Sequence, residues 1–125
     1  MQNQEPKKVL GVLSDLFFSV KITDAAKRAG LALEFVKDPK AVLDKAAAGK
    51  PSLIIFDLNF ESAGPLKLIE ELKENPETKS ISLIGYLSHI QGELKMAAQG
   101  AGCDMVMARS AFSQNMALIF KRHAG

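Results

Sequence analysis

The chain holds a single cysteine, Cys103. No intramolecular disulfide can form, and a lone thiol suits a reducing compartment. No apolar run in the sequence approaches the roughly 20 residues of a membrane span. An excess of one charge sign is also lacking. Sixteen basic against fourteen acidic residues leave +2, and the basic residues are scattered without a stripe that could follow a phosphate backbone. The opening MQNQEPKK is polar and runs straight into a strand-like segment, unlike a signal peptide. There is no Walker loop, GxGxxG, CxxC or HExxH, and GVLSDL is not a nucleophile elbow. These absences argue against nucleic-acid and membrane partners and against the common motif-bearing enzymes. They leave a cytoplasmic domain of ordinary composition.

What is present is organised around Pro51 to Asn59, PSLIIFDLN. Leu53, Ile54, Ile55 and Phe56 run without alternation, as in a strand covered on both faces. Asp57 follows where that strand leaves the core. Residues 1–6 read as a flexible tail, and 7–125 as one domain, long enough to bury a core without disulfides or metal. Strand-like runs fall at Lys8 to Leu13, Leu31 to Val36, the central stretch, Ile81 to Leu87 and Cys103 to Met107.

Helical spacing fills the intervals. Ser14 or Asp15 is placed to cap the first helix, whose inward face is Phe18, Ile22, Ala25, Ala26 and Ala29, with Gly30 as its stop. Asp38-Pro39 opens the second and Gly49 ends it; Pro65 opens the third, before Asn75-Pro76. Gln91 to Gly100 forms a fourth helix, with Ser88 as its expected cap. Ser110 is expected to cap a fifth, carrying Phe112, Met116, Ile119 and Phe120 inward.

Five strands alternating with five helices over short connections predict an α/β, flavodoxin-like doubly wound sandwich with parallel strand order 2-1-3-4-5. Sites in such folds lie beyond the carboxyl ends of the strands, at the switch between strands one and three. That rule nominates Ser14, Asp15, Asp57, Asn59, Leu87 to His89, Arg109 and Ser110.

The segments IIFDLNF, IGYLSH and AAQGAGCDMVMARSAF resemble the receiver domain of bacterial response regulators, and the similarity spans essentially the whole chain. The resemblance implies two-component, phosphorelay signal transduction. In that family an aspartate after strand three accepts a phosphoryl group from a histidine kinase. Two acids after strand one hold Mg²⁺, while a Thr or Ser after strand four and a Lys after strand five bind the phosphoryl oxygens. An anionic nucleophile attacking an anion needs such neutralising charge.

Carried across, Asp57 is the phosphoacceptor candidate, and Asn59 stands where a backbone carbonyl would face the metal. The acid pair falls on Leu13 and Ser14, with Asp15 one position late; the hydroxyl falls on Leu87, with Ser88 next. Arg109 replaces the lysine, Ser110 the following proline, and Val106 the strand-five aromatic. Ser88 and Arg109 are therefore the phosphoryl-binding candidates, and Asp15, Asp57 and the Asn59 backbone a weak metal set.

Each residue also has a structural reading. Asp57 can bond loop amides or pair with Arg109, Asp15 can be a helix cap, and Cys103 a small buried hydrophobe. His89 reads as a polar loop residue, and His123 carries no signal. The lost acid pair disfavours Mg²⁺ and favours a degenerate pseudo-receiver in which Arg109 permanently neutralises Asp57, a module that works by protein–protein interaction and is not an enzyme. The alternative is a working phosphoacceptor at Asp57 with Mg²⁺. The expected partner is a histidine kinase or downstream effector. The resemblance also suggests a homodimer through the face of the fourth helix, fifth strand and fifth helix, which here includes Gln91, Lys95, Gln99 and Lys121.

Overall fold

The computed structural model describes residues 7–88 and 91–124. The elements follow in the order β1 (Lys8–Val12), α1 (Leu16–Arg28), β2 (Ala32–Phe35), α2 (Pro39–Gly49), β3 (Leu53–Asp57), α3 (Pro65–Glu74), β4 (Ser82–Leu87), α4 (Gly92–Ala101), β5 (Met105–Ala108) and α5 (Arg109–Ala124). A 3₁₀ turn, Glu61–Ala63, lies between β3 and α3. All pairings are parallel and the sheet order is β2-β1-β3-β4-β5, as the alternating pattern predicts.

The unbroken apolar run of β3 is explained by its central place. Leu53 and Ile55 face one layer, with Phe18, Ile22 and Ala26 of α1 and Phe112, Met116 and Phe120 of α5. Ile54 and Phe56 face the other, with Val42 and Ala46 of α2, Leu68, Ile69 and Leu72 of α3, and Ala98 of α4. Four successive β3 side chains are thus fully buried, two on each face. Cys103 is buried in the second layer, as a small hydrophobe would be.

Local signals set most helix ends. Asp15 is the N-cap of α1, its Oδ1 accepting the Phe18 N–H at 3.2 Å. At the other end Gly30 is left-handed (φ 77°) and the Leu31 N–H returns to the Ala26 carbonyl at 2.9 Å, closing a Schellman turn. Asp38 caps α2 and Pro39 opens it.

Three end assignments need correction. Gly49 stays inside α2, and Lys50 takes the left-handed turn (φ 44°). Gln91, not Ser88, occupies the N-cap position of α4. The chain passes from β5 into α5 with no intervening loop, so Ser110 lies in the helix's first turn instead of capping it. A serine before an apolar run is a local signal, and strand-to-helix continuity overrides it.

Gly85 positions the site's floor. A Cβ there would lie 2.8 Å from Leu58 Cδ1, so its absence lets the β3–α3 loop fold down on β4. The Leu58 N–H then donates to the Tyr86 carbonyl at 2.9 Å.

Candidate functional site

Asp57 ends β3 at the carboxyl edge of the sheet, paired in register with Tyr86 of β4. Its carboxylate is half-buried and its Oδ1 accepts the Asn59 N–H at 2.9 Å. Burial pushes its pKa above the ordinary carboxylate value. The Asn59 amide and the Arg109 charge offset this only in part, and the nearby Asp15 charge pushes with burial.

Arg109, the first residue of α5, does not form the expected ion pair with Asp57. Its Nη2 donates to Asp15 Oδ2, and its guanidinium lies over the Phe18 ring, 4.5 Å from the centroid. The reason is local. The first turn of α1 brings Asp15 and Phe18 to the same side, so one carboxylate and one ring face hold the guanidinium together. Asp15 therefore serves as helix cap and arginine partner at once. The Phe18 amide, followed by Arg109, draws its pKa below the usual value.

The residues standing where the resemblance implies acids and a hydroxyl are placed as follows. Leu13 is buried in the α1/α5 layer and Leu87 in the opposite layer. Ser14 and Ser88 are exposed. Val106 is buried with Leu87. His89 lies outside the described residues. Among those described, no group of three or more His, Cys, Asp or Glu side chains converges to hold a metal ion. Asp15 and Asp57 are the two acids among the residues nominated for the site. One of them is already engaged by Arg109, which makes a poor donor set for an octahedral dication.

Two features were not read from the sequence. Asn59 acts through its side chain: Oδ1 accepts the Ser88 N–H and Nδ2 donates to Gln91 Oε1, both at 2.8 Å. It thereby ties the β3–α3 loop to the segment before α4. Beneath Arg109, Phe18 packs against Tyr86 (centroids 4.8 Å apart), and Tyr86 stacks on Phe112 at 5.5 Å with planes 11° apart. The Tyr86 hydroxyl is buried with no hydrogen-bond partner among the described residues. The only forewarning of this cluster was Phe18 and Phe112 at inward helical positions.

No protein-family model and no curated relative matches the sequence. Solved structures do. A response regulator from Hahella chejuensis superposes with a TM-score of 0.84 at 19% identity, over 94% of each chain. The chemotaxis response regulator CheY4 of Vibrio cholerae gives 0.79 at 17% identity, over 94% of this chain and 98% of that one. HP1043, an orphan response regulator of H. pylori, gives 0.79 at 12% identity, over 98% and 100%. The chain has the response-regulator receiver fold. The matches cover at least 94% of this chain, so the receiver fold accounts for nearly all of it; Asp57 ends β3, beside β1, in this chain's own sheet order. At these identities the likeness is one of fold, and the chemistry has to come from the side chains.

Proposed function

We propose that this chain is a receiver-like module of two-component signalling that works by binding protein partners without phosphoryl transfer. The observation carrying this reading is the engagement of Arg109 by Asp15 and Phe18, away from Asp57. A phosphoryl acceptor needs positive charge gathered around the incoming phosphorus. Here the nearest guanidinium is held by another carboxylate. Buried leucines 13 and 87 stand where an acid and a hydroxyl would contribute. Burial raises the pKa of Asp57, and the Asn59 amide and the Arg109 charge offset that only in part.

Signal leaves through a surface. The face of α4, β5 and α5 exposes Met96, Met105 and Leu118 as well as polar Lys95 and Gln99, and supports a partner or a second copy. The module acts in the cytoplasm; no helix among the described residues is long and apolar enough to cross a membrane. A working phosphoacceptor is the second reading, favoured by the half-exposed place of Asp57 at the end of β3. Incubation with acetyl phosphate and Mg²⁺, followed by intact mass, separates the two. The unmodified mass is expected. An adduct on wild type that disappears in Asp57→Ala establishes the second reading instead.

A further inference from the structure

Between α1 and the first turns of α5 lies a cleft of about 450 Å³, within the range of roughly 300–1,000 Å³ typical of small-ligand sites. Its lining sorts by chemistry. Lys21 and Arg109 bring two cations, Ser110 and Ser113 two hydroxyls, and Phe17 and Phe18 two rings. Among the described residues no carboxylate lines it.

The charges around it can be assigned one by one. Asp24 lines the adjoining cleft, not this one, and is paired with Arg28 at 3.0 Å. Asp15 takes one N–H of Arg109, through Nη2. A guanidinium carries five N–H donors, so Arg109 keeps hydrogen-bonding capacity although its charge is matched. Lys21 is different. Its Nζ donates across the cleft to Ser113 Oγ at 2.8 Å and has no carboxylate within 4.0 Å among the described residues. One cation is thus held over the cleft by a neutral hydroxyl.

Donors on four residues of two helices suit a phosphate ester, whose terminal group presents three strong acceptor oxygens, better than the two oxygens of a carboxylate. The rings narrow the ligand further. Phe18 is buried, and Arg109 lies over it, 4.5 Å from the centroid. Phe17 is 85% exposed, which leaves its ring open to a planar group. Stacking on such a ring is available to any aromatic base.

We infer that this cleft binds, without covalent change, a phosphomonoester carrying an aromatic ring, of the class of a purine mononucleotide. The phosphate would meet Lys21, Ser110, Ser113 and the remaining N–H groups of Arg109, and the base would lie on Phe17. Asp57 does not line the cleft, so the site is separate from the acceptor candidate. The inference goes beyond the protein-binding reading by giving the module a small-molecule input. It stands whether or not Asp57 accepts a phosphoryl group.

Calorimetric titration of the full chain with AMP, adenosine and inorganic phosphate tests it. AMP should bind saturably and adenosine not at all. Phosphate should bind about tenfold or more weakly than AMP, since it lacks the stacked base. Lys21→Ala should weaken AMP binding about tenfold or more, through loss of a charged hydrogen-bond donor. Lys121→Ala removes the same charge from the adjoining cleft and should change little. Phe17→Ser should bring AMP down to the affinity of phosphate and leave phosphate binding as it was. All three side chains are exposed, and thermal melts confirm that the variants fold. Intact mass after incubation with AMP should be that of the unmodified chain. No AMP binding, AMP matched by adenosine or by phosphate, or a covalent adduct would each overturn the inference. So would equal losses in Lys21→Ala and Lys121→Ala, or wild-type AMP affinity in Phe17→Ser.

Discussion

At the amino end of β4 and β5, one lysine and one aspartate tie the sheet together. Lys73 Nζ donates to Asp104 Oδ2 at 2.9 Å and to the carbonyls of Ile81 and Lys79 at 3.0 and 3.2 Å. Asp104 Oδ2 also accepts the Leu83 N–H at 2.8 Å. At the carboxyl end, Arg109 stands near two aspartates and gives itself to one of them. Asp15 gets an ion pair and a capping amide; Asp57 gets one amide and a share of the field. The amino end spends its charges on backbone groups that would otherwise go unpaired. The carboxyl end leaves a carboxylate less well matched, in the position where this fold places its sites. Undercompensated charge is expected at functional positions, and saturated networks at structural ones.

Substitutions should expose that contrast. The largest effect is expected at the amino end. Asp104→Ala removes the acceptor of the Leu83 amide and should lower stability by about 1–3 kcal/mol, the cost of an unsatisfied buried group. The lost Lys73 pair adds little, because Asp104 is half-exposed. Asp104→Asn should recover most of the loss. A urea melt in which both variants match wild type would dissolve the distinction between the two ends.

Asp15→Ala comes next, at about 1 kcal/mol for the lost helix cap. Because its pKa is lowered in the fold, Asp15 stabilises above the unfolded value of 3.8, and that stability is lost as pH falls through its depressed folded value. The difference between wild type and variant should therefore shrink in acid, as melts between neutral pH and pH about 3 would register.

Asp57→Asn should have the smallest effect and the opposite sign. A carboxylate whose pKa is raised binds its proton more tightly in the fold, so ionising it costs stability as pH climbs above 3.8. The substitution keeps an acceptor for the Asn59 amide. It should raise stability at neutral pH by at most about 1 kcal/mol, and that gain should fade below 3.8. A clear loss of stability at pH 7 would mean that Asp57 is as well paired as Asp104.

The frame of this molecule was legible because its signals are local or repeated. The doubly apolar run Leu53–Phe56 announced a central parallel strand, and Gly30 and Asp38-Pro39 announced helix ends. The partner of Arg109 was not legible in the same way. Asp15 lies 94 positions away, and the choice between it and Asp57 depends on where the first turn of α1 directs two side chains. The expected Asp57–Arg109 pair failed for that reason. Ser110 misled because a serine before an apolar run looks like a cap whether or not the preceding strand leaves room for one, and Ser88 because α4 begins only at Gly92, with Gln91 at its cap position. The side-chain bridge of Asn59 needs two loops brought together by the sheet, and neither loop carries a pattern of its own.

The central claim is that Asp57 is correctly placed and lacks its helpers. It is tested most directly by supplying them. Leu13→Asp, Ser14→Asp, Leu87→Thr and Arg109→Lys, combined in one folded variant, should let the chain gain a single phosphoryl group from acetyl phosphate and Mg²⁺, read by intact mass beside wild type. The account predicts an adduct on the variant, absent when Asp57→Ala is added, and none on wild type. An adduct on wild type, or none on the folded variant, would contradict it.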